Sequence, residues 1–186
     1  MACLSVAAVL IVALLLHGGH DSKRSGTSTT GASGMTGSAT QPIVHVGVFM
    51  NNFRSPDNPS QTGLTFDSNP RSAWSTDLYT TARFGGLYSG EGLAIELAHT
   101  ARLRSLVVTS PTRGWSASTY VSTTDLPTGS PVSAWGRPTD HLSNIDGSAT
   151  FSLRGRRGNW VLLWLTKLGP TANGSYAASV GNLRVV

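Results

Sequence analysis

Hydrophobic and polar positions follow three regimes along the 186-residue chain. Residues 2–16 (ACLSVAAVLIVALLL) form an apolar run interrupted only by Ser5. Residues 21–41 (DSKRSGTSTTGASGMTGSATQ) are rich in Ser, Thr and Gly, with no apolar side chain larger than Met35. Such a segment cannot bury a core, so a flexible tether is predicted. From Pro42 onward the apolar runs are short and bounded by turn residues, the pattern of an all-β domain. Nothing after Leu16 sustains the i, i+3, i+4, i+7 spacing of an amphipathic helix.

The strand expectations are specific. Residues 43–49 (IVHVGVF) form the first strand. In 92–97 (GLAIEL), Leu93, Ile95 and Leu97 alternate with Ala94 and Glu96, which is period two. Residues 103–109 (LRSLVVT) read as a separate strand beyond a polar loop at 99–102. The polar, β-branched stretch 116–122 (SASTYVS) reads as an edge strand, and 149–153, 160–165 and 178–185 follow. Residues 160–165 (WVLLWL) are apolar on both faces, which places that strand at the sandwich centre and Trp160 and Trp164 in the core. The glycine-punctuated 154–159 (RGRRGN) reads as a hairpin turn leading into it, with its arginines at the tip.

Composition narrows the function classes. Charged residues make up 12% of the chain, against roughly 25% in average soluble proteins. Lysine occurs only at Lys23 and Lys167 and glutamate only at Glu91 and Glu96, which excludes a charged helical bundle. The 14 Lys+Arg outnumber 9 Asp+Glu. The arginines are scattered, however, and only Arg154, Arg156 and Arg157 lie close together, so no nucleic-acid partner is expected. The single Cys3 excludes an intrachain disulfide and a cysteine zinc cluster. It lies in the apolar run, so the domain has no cysteine nucleophile. His45, His99 and His141 are isolated, no Gly-x-Ser-x-Gly elbow occurs, and no carboxylate pair has a glycosidase spacing. A non-catalytic domain without cofactor or metal is expected.

The N-terminal run is shorter than the about 20 residues that span a bilayer. No Lys or Arg precedes it, no Ala-x-Ala follows it, and Cys3 is misplaced for a lipobox. A transmembrane helix whose start is cut short, as in a fragment of a longer parent, accounts for all three; a short anchor and an atypical signal peptide are the alternatives. Lys23 and Arg24 are too few to set orientation by the positive-inside rule. The expected layout is a transmembrane or signal-anchor helix at 1–20, a linker at 21–41 and a β-sandwich at 42–186.

Three stretches in order carry a family resemblance. Residues 64–79 (LTFDSNPRSAWSTDLY) resemble the Asp-Gly-x-x-x-Thr-x-Trp-x-Thr-x-x-Tyr stretch of discoidin-like, galactose-binding-like β-sandwiches. Residues 84–97 (FGGLYSGEGLAIEL) are similar to the Phe-Gly-Gly-Leu-Lys-Ser-Gly-x-Gly-Leu segment of one subgroup, the extracytoplasmic C-terminal domains of actinobacterial MviN/MurJ-type membrane proteins. Residues 159–168 and 178–186 are similar to its closing strands. The resemblance implies a jelly-roll sandwich on the extracytoplasmic side of the cell membrane, recognising carbohydrate or cell wall. Three departures stand out. The subgroup's acidic loop after the first strand, a place for calcium, is here 51–58 (NNFRSPDN), with one carboxylate and an added arginine. The familiar Asp-Gly is Asp67-Ser68, and the closing Glu is Asn182.

Six residues are candidates for ligand contact. Trp74 and Tyr79 lie where an aromatic face stacks on a sugar ring, with packing beneath the loops as the alternative for Trp74. Asp67 either contacts ligand or bonds the amides of its own turn. Trp115 and Trp135 read as exposed loop aromatics, and Arg156 as a loop-tip cation in a solvated turn or on an anionic or sugar ligand. Two functions remain open. One is a membrane-tethered module binding cell-envelope glycan or a glycan precursor. The other is a protein-interaction or regulatory sensor domain. A concave loop-end groove lined by Tyr79, Trp115 or Trp135 favours sugar, and a flat apolar patch favours protein.

Overall fold

Two long strands, β3 (Glu91–Val108) and β6 (Ala149–Lys167), lie side by side and organise the fold of a computed structural model that describes residues 39–186. The expected N-terminal helix and nearly all of the tether lie outside the described residues. Among the described residues no helix is long and apolar enough to cross a membrane. The other strands are β1 (Ile43–Phe49), β2 (Trp74–Ser75), β4 (Arg113–Ser122), β5 (Asp140–Asp146), β7 (Gly169–Pro170), β8 (Tyr176–Ala177), β9 (Ser179–Val180) and β10 (Leu183–Val185). The main sheet runs β1-β3-β6-β4-β5, with β10 also on β3. Every pairing is antiparallel, as the expected all-β class requires.

Several expectations are corrected by this ladder. The stretches 92–97 and 103–109 belong to one strand, because β3 stays paired with β6 on both sides of the polar 98–102 segment. The 154–159 segment is not a hairpin. Arg154 and Gly155 adopt φ of 54° and 65°, yet the chain continues along β3, with Arg156 opposite Leu103 and Arg157 opposite Arg102. Irregular register at these points marks bulges, which bend a strand without reversing it. Both halves of β3 and β6 thereby feed one core: Leu93 and Ile95 share it with Leu106 and Val108, and Leu153 with Val161 and Leu163.

The β4 strand is not an edge; it lies between β6 and β5. Its hydroxyls tolerate this place because they are bonded. The Thr119 and Thr139 hydroxyls are 2.9 Å apart, Ser118 Oγ is 2.9 Å from His141 Nδ1, and Ser116 Oγ accepts from the Asn144 N–H at 3.0 Å. The expected final strand 178–185 is split at Gly181: β9 pairs with β2, and β10 with β3. A Cβ on Gly181 would lie 2.8 Å from Thr109 Oγ1.

The central placement of 160–165 holds. Val161, Leu163 and Leu165 face the main core, whereas Leu162 and Trp164 face a second cluster with Phe49, Ala94, Tyr120 and Trp135. Trp160 departs from its expected core position. It is only half-buried, at the margin of this second cluster.

Candidate functional site

The loop that follows β1 turns on Asp57, a buried residue whose backbone and side chain tie this loop to the 74–79 stretch and to the start of β3. Its N–H donates to Glu91 Oε1 at 2.7 Å, and its carbonyl accepts from Trp74 Nε1 at 2.9 Å. Its Oδ2 accepts from the Asp77 N–H at 2.9 Å and from the Tyr79 hydroxyl at 2.7 Å. The Tyr79 hydroxyl also meets that of Tyr88. Edge-on packing of Tyr79 with Phe84 and Tyr88, at centroid separations of 5.5 and 5.9 Å, locks the aromatic side of this knot. The left-handed φ of 46° at Asn58 turns the chain away immediately afterwards.

Above the knot is an open cleft of ≈ 740 Å³ whose lining includes Phe53, Arg54, Asp77, Leu78, Tyr79 and Leu87. Its rim is apolar and bare: Phe53 is 93% exposed, Leu78 63% and Leu87 54%. Large side chains exposed together around a concavity are unusual on a monomer surface and mark contact sites. Arg54 and Asp77, both exposed, add a donor and an acceptor. The arrangement offers apolar surface to a ring face and polar groups to the hydroxyls around it.

Burial governs the electrostatics beneath the cleft. Glu91 is fully buried, and burial pushes its carboxyl up to about 9 against the lowering effect of the Asp57 N–H bond, so it is neutral at pH 7. Its Oε2 has no hydrogen-bond partner. Burial also pushes the Tyr88 hydroxyl up to about 12 and raises Tyr79, which its bonds to Tyr88 and Asp57 raise further. Both phenols therefore remain protonated donors. Glu91 is sealed from solvent, and the Asp57 carboxylate accepts two bonds from its own surroundings.

Of the six sequence candidates, only Tyr79 lines this cleft. Trp74 is fully buried, in its packing role. The expectation of exposed aromatics fails at Trp115, 1% exposed with Nε1 donating to Gly147 O at 3.0 Å, and at Trp135, 3% exposed and edge-on to Phe49. Asp67 is exposed but closes its own turn, accepting from the Asn69 N–H and the Ser72 hydroxyl at 2.9 Å each. Arg156 is exposed on a strand rather than at a loop tip. Sequence reasoning missed Phe53, Arg54, Asp77, Leu78 and Leu87; the added arginine and lone carboxylate of 51–58 were the available signal. Among the described residues no three His, Cys, Asp or Glu side chains are grouped to hold a metal. The Asn182 side-chain amide, at the position of the closing Glu, donates to Asn69 O at 3.2 Å.

No family model matches the chain. Solved structures resemble the fold at low identity. The CBM32 module of AlyQ, in complex with 4,5-unsaturated mannuronic acid, is 12% identical over 80% of this chain and 98% of its own, with a TM-score of 0.53. A pectin binding carbohydrate binding module is 12% identical over 78% of this chain and 91% of its own, at 0.51. A Ruminococcus gnavus GH29 fucosidase mutant in complex with fucose is 10% identical over 75% of this chain and 24% of its own, at 0.52. At these identities the likeness establishes the fold alone. The narrower resemblance to MviN/MurJ-type domains finds no support in them. The domain has the galactose-binding-like β-sandwich fold of CBM32 modules.

Proposed function

We propose that the domain is a non-catalytic carbohydrate-binding module and that the loop-end cleft at Asp57, Asp77 and Tyr79 is its sugar site. The observation that carries this reading is the exposed rim of Phe53, Leu78 and Leu87 around a floor of fixed polar groups. Sugars present apolar C–H faces ringed by hydroxyls, and this surface complements both. Modules of the same fold are in complex with 4,5-unsaturated mannuronic acid or bind pectin, which supports a carbohydrate as the ligand class. The rim surrounds a concavity rather than a flat patch, which favours sugar over a protein partner.

The proposal extends to place. The apolar run at 2–16 and the Ser/Thr/Gly-rich segment after it support a module held by a tether at the outer face of the cell membrane, where its ligand is envelope glycan. Tethering raises effective concentration, so weak affinity suffices. The test is retention of the full chain, in detergent, on insoluble cell-wall glycans and on a panel of soluble oligosaccharides. Specific retention competed by free sugar supports the reading. Absence of retention on every glycan, with capture of one envelope protein by crosslinking, overturns it in favour of the sensor alternative.

A further inference from the structure

A second concavity lies on the face of the main sheet and shares no residue with the loop-end cleft. Register builds it. His45 on β1 stands opposite Glu96 on β3, and Glu96 stands opposite Trp160 on β6, so the three form one row across the sheet. Directly opposed residues have Cβ atoms about 5 Å apart and share a face. In the adjoining row, two positions along each strand, Gly47 stands opposite Ala94. The missing bulk of these small residues opens a trough of ≈ 560 Å³. A Cβ on Gly47 would lie 3.3 Å from His45 Nε2, so the imidazole leans over this position.

The far wall is the loop after β4, which carries Asp125 and Leu126. It is pinned rather than loose. Thr128 Oγ1 accepts from the Met50 N–H at 3.2 Å and donates to Val48 O at 3.1 Å, and the Gly129 N–H donates to Met50 O at 2.8 Å. The half-buried indole of Trp160 lines the trough. Two carboxylates, Glu96 and Asp125, line it as well, with no Lys or Arg. Among the described residues neither carboxylate nor the His45 ring, all three of which line the trough, makes a side-chain hydrogen bond or ion pair. On a chain of net charge +5 with 9 acidic residues, two carboxylates that are unpaired among the described residues, beside an indole, are a local reversal of sign.

We infer that this trough is a second saccharide site and that it takes an amino sugar, with the ring against Trp160 and the ammonium facing Glu96 and Asp125. Charge complementarity selects the amine over neutral and acidic sugars, and the indole supplies stacking and cation-π attraction. The proposal does not depend on the loop-end cleft.

The test is titration of the full chain with a de-N-acetylated glucosamine oligomer at about pH 6, where the amine is protonated, and with its N-acetylated counterpart, read by calorimetry and tryptophan fluorescence. The amine form is expected to bind and the acetylated form to bind at least about tenfold more weakly. Glu96→Gln and Asp125→Asn, both polar surface changes, are each expected to weaken the amine form about threefold to tenfold. Trp160→Phe keeps an apolar ring in place and removes the fluorescence response. Equal affinity for the two oligomers, no binding of the amine form, or unchanged binding by both carboxylate variants would overturn the inference.

Discussion

The backbone N–H of Asp57 donates to the Glu91 carboxyl at 2.7 Å, joining the loop after β1 to the first residue of β3 beneath the cleft. The bond rests on an acid kept neutral by burial, with Oε2 unpartnered. A carboxyl whose folded value is raised keeps its proton where the unfolded chain has released it. Stability from this group is therefore intact below the ordinary value of 4.5 and falls as pH rises toward about 9. The Glu91→Gln variant cannot ionise. The melting temperature of the parent minus that of the variant should decline steadily across this window; a difference that stays constant or grows with pH contradicts the assignment.

Ser68 occupies the place of the glycine in the familiar Asp-Gly pair and holds φ at 63°. A side chain in the left-handed region costs about 1–2 kcal/mol, partly offset by the greater unfolded-state freedom of glycine. Ser68→Gly should raise stability by about 0.5–1 kcal/mol in denaturant melts, with the midpoint rather than the slope moving. A loss of stability would show that the serine is not strained.

Trp135 closes the second cluster by packing edge-on to Phe49 at 5.6 Å. Truncating a buried tryptophan costs about 3–5 kcal/mol, so Trp135→Ala should be strongly destabilised in a chemical melt. A variant as stable as its parent but deficient in glycan binding would restore the exposed role that the sequence alone assigns to this residue.

Much of the fold is legible in the chain, and the reasons for the remainder are physical. Period two in 92–97 and the two-faced apolar run at 160–165 identify two strands from side-chain chemistry alone, but period two does not disclose that Ala94, on the other face, is buried in the second cluster. The polar stretches 98–102 and 154–159 mislead because local polarity reports exposure and not reversal. Whether a glycine-rich segment turns or bulges is decided by the partner strand, which lies about 55 positions away in sequence. Of the candidate site, Tyr79 was legible because an aromatic beyond the Trp74 motif sits in a loop. Trp115 and Trp135 were not, because a loop-flanking tryptophan is hidden or bare according to what covers it. The exposed Phe53 carries no sequence sign of its exposure.

Phe53 touches the cleft but not the core, at 93% exposure. Phe53→Ala should leave the melting temperature within about 1 °C of the parent, as surface changes do, while weakening glycan binding about tenfold. Undiminished affinity for the retained glycan removes Phe53 from the site.

The loop-end site is tested most directly by mapping backbone amide shifts of the full chain, in detergent, as the glycan retained in the binding panel is added. The account predicts saturable shifts concentrated at residues 53–57 and 77–88, around the Asp57 knot. Saturable binding that leaves these amides unmoved would contradict it.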